Sequence, residues 1–462
     1  MLFPIKVVRY VCQYHKNLIR QYSNRNILRL HERGMFEDMF PGNAGGEITD
    51  LLNAKPQCVY AGFDPTARSL HIGNLLVLVN LLHWQRAGHQ VIALVGGATG
   101  RIGDPSGRSK DREEQSSLVI RENLDAIKMN INRVFKNHED LYWKKKEQEP
   151  LKPIKIVNNE AWYKELNAID LVCHIGRHFR MGTMLGRTSV ATRLHSEIGL
   201  SFTEFTYQLF QAYDWWQLFD KYDCRFQVGG SDQMGNIVSG YDYISKFTKK
   251  TVFGLTLPLV TTESGEKFGK SAGNAIWLDP ELTSPFELYQ FFIRTADADV
   301  EKLLKLFTFR SVESIRDLCH KHMTRPELRQ AQKVLAEEVT RLVHGEEGLE
   351  RARITTAAMY DSNIEQLSKL TSQDVVSLFK GATVVDLLLQ PGLTVRDLAM
   401  AAGCFGTAGI AQTTISAGGF YINHKRVTNY GEMLTQAVHI LPNNISLLRV
   451  GKKNYFIVRW AT

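Results

Sequence analysis

The sequence predicts an α/β chain in which a doubly wound parallel sheet is followed by an α-helical segment and then by a small basic unit. Three observations lead there. Short apolar runs alternate with amphipathic helical stretches between residues 57 and 245. Glycine-rich turns, GGATGRIGDPSGR and GGSDQMGN, follow two of those runs, at the strand ends where such sheets bind ligands. After about residue 300 glycines become few and the pattern turns helical and mixed-charge. A length of 462 residues suits two to four domains at roughly 100–200 residues each. An apolar content of 44% can bury large cores, which excludes wholesale disorder. No uncharged apolar run reaches the roughly 18–20 residues of a membrane span. The 6 cysteines lie far apart without a paired C-x-x-C, which speaks against a disulfide framework or a zinc knuckle.

Residues 1–31 carry Lys6, Arg9, Lys16, Arg20, Arg25 and Arg29 and no acid. Cationic, acid-free and interspersed with apolar residues, they read as a mitochondrial transit peptide; the bland alternative is a basic arm on nucleic acid. Residues 57–63 form a strand broken by Asp64-Pro65, and residues 72–86 have helical spacing. A second strand, residues 90–97, enters the first glycine-rich loop; a helix over about 116–136 and a strand at KIVNN follow. Ser201-x-x-Glu204 caps a helix over about 203–220, strand 224–229 enters GGSDQ, and Ser284-Pro285-x-Glu287 opens a further helix. Pro391-Gly392 reads as a linker into residues 391–462, whose seven Lys/Arg face two acids. That excess suits either a polyanion-binding module or a solubilising surface. The net charge of +8 therefore resides in the two ends.

Four constellations carry chemistry. His71 to Asn74 (HIGN) joins a strand to a helix, where Gly73 lets a ligand approach the backbone and the helix N-terminus favours phosphate. Lys267 and Lys270 in KFGKS set two ammonium groups on a Gly/Ser/Thr-rich loop, able to neutralise a departing pyrophosphate. Tyr207, Gln211 and Asp214 fall at i, i+4 and i+7 and share one face of a mostly apolar helix, so this polar stripe needs partners or a wet pocket. GGSDQMGN after a strand suits hydrogen bonding to a ribose. Each signal alone is weak, since capping histidines, exposed lysine loops and glycine turns are common.

Together, HIGN at a first strand–helix joint and KFGKS some 200 residues later form the two-part signature of class I aminoacyl-tRNA synthetases. YAGFDPTARSLHIGN, ALVGGATGRIGDPSG, TYQLFQAYD, VGGSDQMGN and FGKSAGN resemble the bacterial and organellar tyrosyl-tRNA synthetases, from about residue 47 to the C-terminus. With the leader, the resemblance is to the mitochondrial members. It implies a Rossmann-like catalytic domain over 32–299 with a connective insertion at about 115–200. It also implies an α-helical anticodon-binding domain over 300–390 and a small α+β RNA-binding domain over 391–462. Tyr60 and Asp214 match the positions that read the substrate phenol, and Asp104, Tyr207 and Gln211 those that hold its ammonium. Asp64, Gln233 and Gln227 match positions near the reacting carboxylate. Gly62, Thr66, His71, Gly73, Asn74, Gly230, Asp232 and Val260 match the ATP site, where Asn74 replaces a second histidine. His71, Asn74, Lys267 and Lys270 match the catalytic set, and Lys425, Arg426, Lys452 and Lys453 are phosphate candidates. The implied substrates are L-tyrosine, ATP with Mg²⁺ and tRNA(Tyr), in a homodimer of the mitochondrial matrix, with no protein-held metal and no membrane. Three competitors remain: a tryptophanyl-tRNA synthetase, which needs no Tyr/Asp pair facing a phenol; a compact nucleotidyltransferase, in which the AYD stripe and a basic appendage are not expected; and a non-catalytic RNA-binding protein.

Overall fold

The computed structural model describes residues 25–107, 115–144, 150–261, 268, 270–271, 274–360, 364–371, 375, 382–451 and 454–461. Most of the leader, Lys267, Lys452 and Lys453 thus lie outside the described residues, as does the side chain of Lys270.

The first unit runs to Gly345, without residues 285–287. Its sheet has six strands: β1 (Met39–Phe40), β2 (Cys58–Phe63), β3 (Gln90–Val95), β4 (Lys155–Asn158), β5 (Cys224–Gly230) and β6 (Phe253–Leu257), in the order β1-β6-β5-β2-β3-β4. β2 to β6 are parallel and β1 adds antiparallel to β6. The order turns back at β2, flanked by β3 and β5, which creates a crevice at the carboxyl ends of β2 and β5. Because side chains alternate along a strand, Phe226 and Gln227 of β5 face opposite sides. Phe226 meets Trp84 of helix α2 (Ile72–Arg86), with ring centroids 5.1 Å apart. On the other face Tyr60, Ile92, Leu94, Trp215, Leu218 and Ile237 form a buried cluster beneath helices α4 (Phe202–Tyr222) and α5 (Met234–Ser245). α1 (Gly45–Ala54) connects β1 to β2 and α3 (Ser117–His138) leads from β3 towards β4.

The sequence boundaries need two corrections. First, residues 25–31 belong to the folded body: Ile27 is buried, Asn26 caps the turn Ile27–Arg33, and His89 Nε2 lies 2.8 Å from the carbonyl of Arg25. Arg33 then donates to the carbonyls of Lys305 and Thr308, at the end of the helix Asp297–Phe307. A leader ending at residue 31 would cut away packed groups. Second, residues 300–390 do not form one helical block. The helix Gln330–Tyr360 breaks at Gly345, where φ is +76°, a value that favours glycine. The helices from residue 297 to Gly345 cluster with the first unit, and residues from Glu346 with the second.

That second unit is a five-stranded sheet, in the order Lys425–Val427, Phe420–Ile422, Ile445–Val450, Asn454–Ala461, Thr383–Leu388. Thr383–Leu388, within the stretch read as helical, pairs parallel with Asn454–Ala461. Pro391-Gly392 is therefore an internal turn rather than a linker. One sheet face packs on Val395, Leu398, Ala411 and Ile415 of two short helices, the other on Leu367 and Leu370. Among the described residues no helix is long and apolar enough to cross a membrane.

Candidate functional site

A cavity of about 920 Å³ opens at the carboxyl ends of β2 and β5, a size at the upper end of the ~300–1,000 Å³ typical of ligand sites. Tyr60, Gly62, Asp64, Thr66, His71, Gly73, Asn74, Asp104, Tyr207, Gln211, Asp214, Gln227, Gly230, Asp232, Gln233 and Val260 all line it. The structure thus brings together every described candidate outside the C-terminal unit, apart from Lys270, whose side chain is not described.

The deep end is polar and buried. Tyr60 and Gln227 are directly paired across β2 and β5, and both are buried. The Tyr60 hydroxyl and the Gln227 Oε1 have no hydrogen-bond partner. Buried polar groups are rarely left so, and two side by side at a cavity mark a place where a ligand completes them. Burial, and then the neighbouring Asp214, push the Tyr60 phenol well above its ordinary value, so it stays a donor. Asp214 accepts from Asn159 Nδ2 (2.9 Å), Trp162 Nε1 (2.9 Å) and the Tyr163 hydroxyl (2.8 Å). Burial pushes its carboxyl up to about 7, against the pull of these three donors.

From Asp214 a chain of hydrogen bonds crosses the floor. Asn159 donates on to Thr99 Oγ1 (2.9 Å), Thr99 to Asp64 Oδ1 (2.7 Å), and the Tyr207 hydroxyl to Asp64 Oδ2 (2.7 Å). A Cβ at Gly96 would lie 1.9 Å from Asp64 Oδ1, so only glycine admits this carboxylate. Gln233 Nε2 donates to Asp104 Oδ2 at 2.6 Å, which joins the second glycine-rich loop to the first.

The outer end is the N-terminus of α2. His71 Nδ1 accepts from the Gly73 N–H (3.0 Å), and Asn74 Oδ1 accepts from the His71 N–H (3.1 Å). This reciprocal capping sets the chain entry into α2 and leaves the proton of a neutral His71 ring on Nε2. The residues beyond the lysine loop are tied to the same joint, since the Ile72 N–H donates to the Ile276 carbonyl at 3.0 Å and the Leu278 N–H to the Leu70 carbonyl at 2.8 Å. Phe268, within KFGKS, also lines the cavity, and its N–H donates to the Val260 carbonyl at 2.8 Å. No group of three or more His, Cys, Asp or Glu among the described residues is placed to hold a metal ion.

Sequence reasoning missed Thr99, Asn159, Trp162 and Tyr163. Their one signal was position, since Asn159 directly follows β4 and Thr99 follows β3, at the strand ends where ligands gather. In the C-terminal unit, Lys425 and Arg426 are both exposed on the edge strand, and Arg426 is partly engaged. Its guanidinium donates to the carbonyls of Gly418 (2.8 Å) and Ala417 (2.9 Å), after the helix Ala408–Ser416.

Comparison with known proteins gives the same reading of the chain. The model of the family described as tRNA synthetases class I (W and Y) matches residues 52–361. The mitochondrial tyrosine–tRNA ligase of Drosophila melanogaster is 56% identical over 443 residues, 96% of each chain. That of Homo sapiens is 47% identical over 433 residues, covering 93% of this chain and 90% of its own. A C-terminally truncated mitochondrial tyrosyl-tRNA synthetase of Aspergillus nidulans superposes with a TM-score of 0.67 at 34% identity, over 75% of this chain and 99% of its own. The chain belongs to the class I tRNA synthetases of the tryptophan and tyrosine group.

Proposed function

We propose that the chain is a mitochondrial tyrosine–tRNA ligase, acting in the matrix, that activates L-tyrosine with ATP and transfers it to tRNA(Tyr). The observation that carries this is the unpartnered, buried Tyr60 hydroxyl beside Asp214, at the bottom of the cavity that also reaches the capped N-terminus of α2. A substrate phenol there donates to Asp214 and accepts from Tyr60. Phenylalanine would leave the Tyr60 hydroxyl unpaired, at a cost of roughly 1–3 kcal/mol, and the remaining acceptor of Asp214 unused. Tyr207, Gln211 and Asp104 hold the ammonium, while Asp64, Gln227 and Gln233 border the reacting carboxylate. Gly62, Thr66, Gly73, Gly230, Asp232 and the backbone of Val260 approach ATP. Asn74 spends its carbonyl on the cap, which leaves its NH₂ for a ribose oxygen.

The tyrosine carboxylate attacks the α-phosphorus of ATP in line, giving tyrosyl-adenylate and Mg²⁺-pyrophosphate. A ribose hydroxyl of the tRNA 3′ end then attacks the adenylate carbonyl. No residue becomes covalently attached; rate comes from placing the reactants and from His71 Nε2–H, Lys267 and Lys270 meeting charge that develops in the transition state. Mg²⁺ travels with the triphosphate. The helices after residue 300 meet the anticodon stem, and the C-terminal unit meets RNA through Lys425, Lys452 and Lys453.

ATP–pyrophosphate exchange with each amino acid in turn tests the reading. Tyrosine alone should support it; exchange with tryptophan, or none at all, would sink it. Tyr60→Phe is expected to keep or slightly raise the melting temperature, because it removes an unpaired buried hydroxyl. The same change should cost roughly tenfold in kcat/KM for tyrosine. Thermal melts and exchange kinetics on one preparation check both halves.

The homodimer is part of this proposal. Ile169, Val172, Met181, Ile198 and Phe202 are large, apolar and exposed, from 60% to 81%. Ile169, Val172, Met181 and Ile198 fall in the connective insertion and Phe202 opens α4 directly after it, and a second copy of the chain is the occupant proposed for this face. Ile198→Glu combined with Phe202→Glu should convert a dimer to a monomer in sedimentation, and an unchanged mass would remove this face from the interface.

A further inference from the structure

Asn159 and the short helix Glu160–Tyr163 that follow β4 hold Asp214 from outside the cavity lining, and their contribution is countable. An ionised carboxylate offers about four acceptor directions. Asn159, Trp162 and Tyr163 take three, which leaves roughly one for a ligand phenol. Asn159 and Trp162 each bring an N–H whose direction is set by a planar group. Tyr163 brings a hydroxyl that also lies 2.9 Å from the carbonyl of Phe210, one helical turn before Asp214 on α4. Its single proton faces a neutral carbonyl and a carboxylate, and the charged acceptor forms the stronger bond. The ring is held by Phe210 and Tyr213, with centroids 5.2 and 5.8 Å away. Tyr163 is not among the residues lining the cavity.

We infer that Tyr163 is a positioning residue for tyrosine recognition: its hydroxyl fixes the Asp214 carboxylate and stabilises its ionised form, so that the remaining acceptor faces the substrate phenol. The inference rests on the reading of Asp214 given above. Among the described residues the other titratable groups whose charges bear on Asp214 are Tyr60 on β2, Tyr207 and Tyr213 on its own helix, and the Asp64 carboxylate, none of them a cation that could hold the charge in place of Tyr163. With burial already raising the Asp214 carboxyl to about 7, loss of one donor carries its titration further into the alkaline range.

The test is Tyr163→Phe in the full chain, which keeps the ring against Phe210 and Tyr213. Exchange kinetics would be measured from pH 6 to 9, varying tyrosine and ATP separately. At pH 7, kcat/KM for tyrosine should fall roughly tenfold, with the rising limb of its pH profile moved about one unit alkaline, so that much of the loss is recovered at pH 9. KM for ATP should stay within about twofold. Added to Asp214→Asn, the same change should cost nothing further, because its target is gone. A loss equal at every pH, or one that persists undiminished in the Asp214→Asn background, overturns the inference and leaves Tyr163 as packing. If Asp214→Asn itself spares tyrosine recognition, the reading of Asp214 fails and the inference with it. That result is distinct from an impaired Asp214→Asn beside a pH-indifferent Tyr163→Phe.

Discussion

Asp214→Asn should lower kcat/KM for tyrosine roughly 10- to 200-fold, the value of about 1.5–3 kcal/mol for a hydrogen bond to a charged group, while KM for ATP moves little. An amide keeps the shape, but its NH₂ half would confront the N–H donors of Asn159 or Trp162, and it offers the substrate phenol no anionic acceptor. Equal losses towards tyrosine and ATP would count against the pocket as assigned. The same variant makes a prediction about stability. The folded carboxyl is raised from 3.8 to about 7, so between those values the folded state binds the proton that the unfolded state has released. Stability from this group is therefore present at low pH and is lost as pH rises from about 4 to 7. The melting temperature of Asp214→Asn relative to the parent should climb across that window and level off above it. Groups shared by both chains cancel in the difference, so a flat comparison would mean that Asp214 titrates normally.

The second large effect is expected from the lysine loop. Replacing Lys267 and Lys270 together by alanine should slow single-turnover adenylate formation roughly 10²- to 10⁴-fold, on the scale of about 10²–10³ for one transition-state donor. Equilibrium binding of tyrosine should be nearly unaffected, since the phenol slot is built from Tyr60 on β2, Gln227 on β5 and Asp214 on α4. An unchanged rate would take the loop out of the mechanism.

What the sequence exposed and what it concealed follow from how local each feature is. Residues 72–86 read as a helix because their spacing and the HIGN start are contained within the segment, and the observed helix has those bounds. Most polar residues lining the cavity were legible because they sit in compact motifs, HIGN, TYQLFQAYD and GGSDQ, whereas Thr99, which lines it too, was not. The hold on Asp214 was not legible. Asn159, Trp162 and Tyr163 lie more than 50 positions before it, and their meaning appears only once β4 has been laid beside β3. TVVDLL at 383–388 is an apolar run whose period fits a strand as well as a helix, and its partner is 73 residues away. Arg426 was named a phosphate candidate from the family resemblance; that its Nε and one Nη donate to two carbonyls shows only in the fold.

The anchoring of Arg33 to carbonyls more than 270 positions downstream bears on how this chain matures. A polypeptide threaded amino end first through the mitochondrial membranes brings Arg33 inside long before Thr308 arrives. That segment must wait, unanchored, until two thirds of the chain has crossed, and contacts of such long range are slow to close. The contact that ties Arg33 into the catalytic unit can therefore form only after Thr308 has entered.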